Sequence, residues 1–515
     1  MKKINTNLLS LILFTTSVSF SLYFGFKGIL PLDSFLIFNG GYNVFNDFHP
    51  FKDYWSITGP LLDYIQYVFF KIFGINWISY TIHSAFINLF LCFFSFYFFK
   101  KIGLNKFLSC LASVGISILA YPQTGTPFMD HHAFIFAYIS ICFLILGVKF
   151  NKKKYWFISP CLLFLSFFSK QIPAAYFGVF LIFFLIIYIF LVKEKLINVV
   201  YFILGSSFSI LLFFIVIFLN DIPIKNFINQ YIFYPIEIGK DRSSRFNFDL
   251  KNTIFQFKFI YFAILPYFFS FLFSIRKKNK NESKIEILIF LLIVGLFLIF
   301  IYSQLMTLNQ ILIFFIIPFF LVFSKLYNEQ NKFKNIIFLY IILIFIISLT
   351  KYHIRFNIDK KFMELSGVNF EIAEDAILLD KKFSKLKWIT PKFKDNPKKE
   401  IDLLLASKKF LEKEENNYII MTDYQFLPAF IGLKTVSPNK WYDGQSIPEQ
   451  KNRYFKDYLK FFLKKLDTQN IKYVYLLDKD KSYLEIIFED KSCLDFKEIN
   501  ELLIRANIKK CDLAV

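Results

Sequence analysis

Several ionisable side chains in this chain lie at the ends of hydrophobic runs, where charge can meet water without crossing lipid. Asp33, in Pro31-Leu32-Asp33-Ser34, follows the run 8–30, which is long enough to cross a bilayer as a helix. A carboxylate there reaches the membrane–water boundary without the cost of burial in hydrocarbon; the plainer alternative is a solvated loop Asp that ends a helix. Asp130, His131 and His132 stand together in TGTPFMDHHAF, before another apolar run. Such a trio suits a divalent metal, hydrogen bonding to an anion or sugar, or interface packing. Neighbours on a helix point about 100° apart, which makes a single shared ion awkward. Lys170-Gln171, in FFSKQIPAAYFG, sits between two apolar runs, where a Lys is costly unless it faces water or an anion. Lys240, Arg242 and Arg245 crowd into IGKDRSSRFNFD; Arg forks onto phosphate oxygens, although snorkelling onto lipid headgroups explains the cluster equally well. Asp53 reads as a further ligand for substrate or as a capping turn residue.

Composition sets the class of element that must hold these groups. Of 515 residues 56% are hydrophobic, 75 of them Phe, and the mean hydropathy is +0.48. A water-soluble chain has no use for so much apolar surface, so the sequence reads as a polytopic α-helical membrane protein. About eleven spans are expected, near 8–30, 79–99, 107–121, 132–149, 156–169, 172–192, 198–220, 256–275, 286–303, 309–325 and 336–350. The span at 156–169 is short and carries Pro160. The net charge of +21 fits codon bias and membrane-surface lysines, and no nucleic-acid motif accompanies it.

Lys and Arg orient the bundle. With Lys2 and Lys3 on the cytoplasmic side, the runs near 100, at 151–154, 193–195, 276–284 and 325–334 fall there too. Asp33, Asp47, Asp53, Asp63, Asp130, Glu237 and Asp241 then share the outer side. His83, Asn88, Gln304 and Asn309, in or beside spans, read as interhelix hydrogen-bonding groups.

The outer loop 31–78 contains GPLLDYIQYVFFKIFG (59–74), whose apolar residues form one helical stripe with Asp63, Gln66 and Lys71 off it. That pattern suits an interfacial helix, with Pro60 in its first turn. From 351 to 515 polar residues rise. YIIMT (418–422) and KYVYLLD (472–478) read as strands and KNRYFKDYLKFFLKKL (451–466) as an amphipathic helix, giving a soluble extracytoplasmic α/β domain after the transmembrane domain 1–350. No phosphate-cradling Gly-rich loop occurs in it. Cys493 and Cys511 both lie there, and an oxidising compartment permits a disulfide between them.

The order of first span, acidic residue (Asp33), and the phrase HPFKDYWSITGPLLDYIQYVFFKIFG resembles the GT-C superfamily of membrane glycosyltransferases. The nearest branch is the protein-mannosyltransferase and aminoarabinose-transferase-like one. The resemblance covers roughly residues 8–220, and here Asp33-Ser34 stands where that family often has Asp-Glu. It implies a polyprenyl-phosphate-linked sugar donor, a lipid, glycan or protein acceptor on the outer face of the cytoplasmic membrane, and inversion at the anomeric carbon. It also implies that Asp33 is the base that activates the acceptor hydroxyl, with Asp130 as a second catalytic carboxylate. Lys170-Gln171 then suits a structural or donor-phosphate role, with Lys240, Arg242 and Arg245 as the competing phosphate site. Asp53, His131 and His132 are candidate substrate contacts. No cofactor is required by this scheme; a divalent metal at Asp130-His131-His132 stays open. Trp441, Tyr442 and Asp443 are candidates for holding the acceptor. The alternatives are a transporter or flippase of lipid-linked glycans, expected to carry ionisable groups at mid-bilayer depth, and a polysaccharide polymerase or ligase.

Overall fold

A computed structural model of the chain describes residues 6–192, 196–244, 249–275, 279–307, 312–488 and 491–509. Helix α1 (Thr6–Gly25) leads into two outer helices, α2 (Pro31–Phe45) and α3 (Leu61–Phe73). The bundle continues with α4 (Trp77–Ile102), α5 (Lys106–Ala120), α6 (Met129–Phe150), α7 (Lys153–Ser169), α8 (Gln171–Leu191) and α9 (Leu196–Leu219). A short α10 (Ile224–Phe227) and α11 (Tyr234–Ser244) form a second outer segment, followed by α12 (Lys258–Ser274), α13 (Lys280–Thr307), α14 (Ile316–Tyr327) and α15 (Lys334–His353).

Among the described residues seven helices are long and apolar enough to cross a membrane: those beginning at Asn7, Trp77, Met129, Gln171, Leu196, Asn281 and Lys334. Lys106–Ala120, Lys258–Phe273 and Ile316–Tyr327 are apolar but shorter, and α7 carries Pro160 inside it. A helix thus lies at each of the eleven expected positions, but length and composition support crossing for seven.

Local signals account for the helix ends. Asn76 caps α4 by accepting from Ser79 N at 2.8 Å, and the helix stops at Gly103, which has φ 115. Lys100 and Lys101 occupy its last turn, where the helix dipole favours cations. Helix α6 runs from Asp130 in its first turn to Asn151 at its C-cap, a rise of about 33 Å. Lys101, Lys152 and Lys154 border one hollow at that second end, so acidic and basic ends are separated by the thickness of a bilayer core. Polar side chains within the bundle pair with one another: Asn88 donates to Ser21 at 3.0 Å, and Leu312 N donates to Gln304 at 3.0 Å. Asn309 lies outside the described residues, as do 193–195 and 276–278 of the basic loops.

Helix α3 has its polar side inward. Asp63 and Gln66 are fully buried, whereas Val68, Ile72 and Phe73 are exposed, the inverse of a soluble surface helix and the arrangement an interfacial helix needs. The segment 31–45 is a helix rather than a solvated loop, which corrects the loop reading of Asp33: the residue stands in the first turn of α2. Gly40 and Gly41 permit this. A Cβ on Gly40 would lie 2.1 Å from an Asp63 carboxylate oxygen, and one on Gly41 2.5 Å from Gln66. The two glycines let α3 pack directly against the backbone of α2 at a local cost of about 1 kcal/mol each in helix propensity.

Beyond α15 the chain forms an α/β unit, the outer domain expected from the charge pattern. Short strands β1 (Glu374–Asp375) and β2 (Lys387–Trp388) pair antiparallel. Helix α16 (Pro397–Leu411), capped by Asn396, precedes β3 (Tyr418–Thr422), α17 (Leu427–Ile431), α18 (Phe455–Thr468) and β4 (Tyr473–Leu477). With β5 (Leu494–Glu498) and β6 (Leu503–Ile508) they build a mixed sheet of order β3-β4-β6-β5. Strand β3 runs parallel to β4, and β6 is antiparallel to both its neighbours. Cys493 is disulfide-bonded; Cys511, its expected partner, lies outside the described residues. The other four cysteines are free thiols.

This unit is fastened to the first outer segment. Trp55 N donates to Pro438 O at 2.7 Å and Lys440 N to Trp55 O at 2.9 Å. Lys440 Nζ then meets both oxygens of Asp63 at 2.7 and 2.8 Å, with the side chains 2% and 0% exposed. Tyr54 also donates to Asp63, at 2.9 Å. Removing one partner of such a pair strands a buried charge. Lys440→Met is therefore expected to cost about 3–5 kcal/mol of stability, while Asp63→Asn combined with Lys440→Met recovers most of it. Thermal unfolding of the detergent-purified single and double variants checks this.

Candidate functional site

A cavity of about 680 Å³ opens where the starts of α2, α6 and α8 meet the C-terminal α/β domain. Several chain segments wall it. Helix α2 contributes Asp33; the start of α6 contributes Asp130; the α7–α8 junction contributes Lys170 and Gln171; α11 contributes Lys240 and Arg242. The outer domain closes it with Trp441, Asp443 and Gln445. One side is greasy, with Ile172, Ala175, Tyr176, Ile236, Tyr302 and Met306 among its lining residues.

The two carboxylates from the membrane part differ in their surroundings. Lys170 Nζ lies 2.7 Å from each oxygen of Asp130, with Lys170 16% and Asp130 2% exposed. Asp130 is therefore a neutralised anchor for an ammonium group that still borders the cavity. Asp33 makes no hydrogen bond or ion pair among the described residues. Burial pushes its carboxyl up to about 6, and the negative charges of Asp130, Asp443 and Asp423 add to that, against the pull of Lys170. A carboxylate held near the working pH is well placed to accept a proton.

The remaining wall groups are positioned through the outer domain. Arg242 donates to the Gln445 side chain, Tyr234 donates to Gln445 O at 2.7 Å, and Arg453 bridges Glu237 at 2.8 Å. Lys240 is paired with Glu237 at 2.9 Å and is mostly exposed. Gln171 donates to Ile57 O and Tyr231 O at 2.9 and 2.8 Å, so its amide binds loop to loop beside the cavity. Arg245 lies outside the described residues.

Three expected contacts are not on the wall. Asp53 accepts from His49 N at 2.8 Å and from Lys465 at 3.0 Å; both oxygens serve a turn and the docking of α18, which corrects its reading as a substrate ligand. His131 and His132 are buried and turn into the bundle. The ring of His132 meets Phe128 O at 2.9 Å and His83 at 3.2 Å, and His83 meets Gln66 at 2.9 Å. The trio Asp130-His131-His132 is thus split between cavity and core, as adjacent helical positions require. Among the described residues no group of three His, Cys, Asp or Glu side chains is arranged to hold a metal.

Sequence reasoning missed Lys440, Asp63 as its partner, and Thr58 on the cavity wall. Nothing local marks Lys440 among the many lysines of the outer domain.

No family model matches the chain, and no curated protein does. Two solved structures are similar over nearly its whole length. The crystal structure of ArnT from Cupriavidus metallidurans in the apo state is 12% identical, with 96% of this chain and 97% of that chain covered and a TM-score of 0.47. ArnT from the same organism bound to undecaprenyl phosphate is 11% identical, with 98% and 99% covered and a TM-score of 0.45. At these identities and TM-scores the likeness carries no functional argument.

Two outcomes follow from the electrostatics. Because the folded-state carboxyl of Asp33 is raised, the fold carries a penalty above about pH 6 that fades as pH falls toward the ordinary Asp value. Asp33→Asn should therefore unfold at a higher temperature than the parent at pH 7.5, with the gap narrowing at pH 5. Lys170→Ala removes the one cation that lowers Asp33, so the acid limb of any activity is expected to move upward in pH. Differential scanning measurements and pH–rate profiles check the two.

Proposed function

We propose that this chain is an integral membrane glycosyltransferase. It moves a sugar from a polyprenyl-phosphate-linked donor to a lipid, glycan or protein acceptor on the outer face of the cytoplasmic membrane. The carrying observation is the convergence on one cavity of an unpaired, desolvated carboxylate, Asp33, with cations from two other segments, Lys170 and Arg242, beside an apolar wall.

In this reading the polyprenyl chain lies along the apolar wall near Ile172, Tyr176 and Tyr302, at the level where the helices face lipid. The donor phosphate takes the cationic side, where Lys170 and Arg242 offset the charge that builds as it leaves. Asp33 accepts the proton of the acceptor hydroxyl. The acceptor oxygen forms its bond to the anomeric carbon as the bond from that carbon to the phosphate oxygen breaks. Attack from the side opposite the phosphate inverts the anomeric centre. Asp130 contributes by holding Lys170 in place rather than as a second base, since its own oxygens are already engaged.

The lysine-rich ends of the helices are assigned to the cytoplasm with the N-terminus, and the cavity with the outer domain to the opposite side. The test is transfer from radiolabelled polyprenyl-phosphate sugars by purified, reconstituted protein. Asp33→Asn is expected to lower transfer by about 10²–10⁴-fold with the fold intact. Undiminished transfer by that variant would remove the base assignment. Translocation of a lipid-linked glycan without any transfer would favour a flippase.

A further inference from the structure

Ser34, next to Asp33, is buried, with its hydroxyl accepting from Leu30 N at 3.1 Å. A third carboxylate, besides Asp33 and Asp130, reaches the cavity from more than 400 positions beyond Asp33. Asp443 lies on its wall, close enough that its charge raises Asp33. One Asp443 oxygen accepts from Gln445 N and Ser446 N at 2.9 and 2.6 Å, closing a tight turn. Its other oxygen has no partner among the described residues.

Two neighbouring polar groups on the same wall are also unspent. Trp441 is 6% exposed and its indole N–H has no acceptor; Thr58 is 5% exposed and its hydroxyl has no partner. Buried polar groups are nearly always hydrogen-bonded, so two orphans bordering one cavity need a reason. The two segments are adjacent, because the backbone of Trp55 bonds to Pro438 and Lys440. Together the three groups offer an acceptor oxygen, a donor, and a hydroxyl that does both. The hydroxyls of a sugar ring match that set, each able to donate and accept.

We infer that Asp443, Trp441 and Thr58 form the seat of the sugar ring carried by the donor lipid, so that the outer domain selects which sugar is used. This rests on the glycosyltransferase reading. The donor ring is favoured over the acceptor because Arg242, on the phosphate side, bonds directly to Gln445, two residues from Asp443. A ring attached to a phosphate held there lies against the Asp443 turn.

The test compares binding of undecaprenyl phosphate with binding of undecaprenyl-phosphate glucose, mannose, galactose and arabinose, using full-length detergent-purified protein. The parent is expected to hold at least one sugar-bearing lipid about tenfold more tightly than the bare phosphate, as one or two hydrogen bonds to a charged group provide. Asp443→Asn keeps the turn, since the amide oxygen accepts the same two N–H groups. It should erase most of that preference and leave bare-phosphate affinity unchanged. Trp441→Phe should do the same, which guards against misfolding of either variant alone. A parent without preference, variants that keep it, or variants that lose bare-phosphate affinity equally would overturn the assignment. So would an unchanged preference with a raised acceptor KM, which would give the seat to the acceptor. Preference without turnover in the parent would sink the transfer reaction and leave the sugar seat standing.

Discussion

The buried ion pair between Asp63 and Lys440 is the constraint on which the geometry of the cavity depends. It joins residues 377 positions apart, one on an interfacial helix and one on the outer domain. Two charges out of water are tolerated only when their geometry is good and their remaining hydrogen-bonding capacity is used. Here Lys440 meets both carboxylate oxygens and Tyr54 adds a third contact. Such a pair adds little net stability compared with an apolar packing. What it imposes is one docking pose, because any slip strands both charges. Trp441 follows Lys440 directly and Asp443 three residues later, so fixing Lys440 fixes the outer wall of the cavity.

Within the cavity, two membrane-side carboxylates sit in different surroundings. Asp130 is locked against Lys170. Asp33, in the first turn of α2, is left unpaired while protein displaces its water. Separating the environments of two acids is a general way to divide their duties. Under the proposed function this division gives Asp33 the proton of the acceptor and leaves Asp130 to support a cation. It also carries a stability cost at neutral pH, as expected where a site keeps an uncompensated charge.

Much of the layout was legible in the chain. Apolar runs marked helix positions, and acidic residues beside them marked the rim, because both signals are local and repeat along the sequence. Asp33, Asp130, Lys170, Gln171, Lys240 and Arg242 could be singled out as charges or amides beside lipid-length runs, and all six border the one cavity. Two kinds of feature were not legible. Helix α2 was hidden because Gly40-Gly41 argues against helix locally, and only the close approach of α3 overrides that. Asp53, Asp63 and Lys440 look alike as loop or surface charges; which one is spent on structure depends on a partner hundreds of residues away. His131 and His132, open in the sequence between metal, substrate contact and packing, turn to the core while Asp130 faces the cavity.

The most direct test of the central claim, that Asp33 is an unpaired carboxylate held near pH 6, is an infrared titration of the reconstituted protein. The carboxyl stretch missing from an Asp33→Asn sample but present in the parent identifies the group. That band is expected to disappear with a midpoint near pH 6. A midpoint near the ordinary Asp value, or a band already absent throughout the acid range, would contradict it.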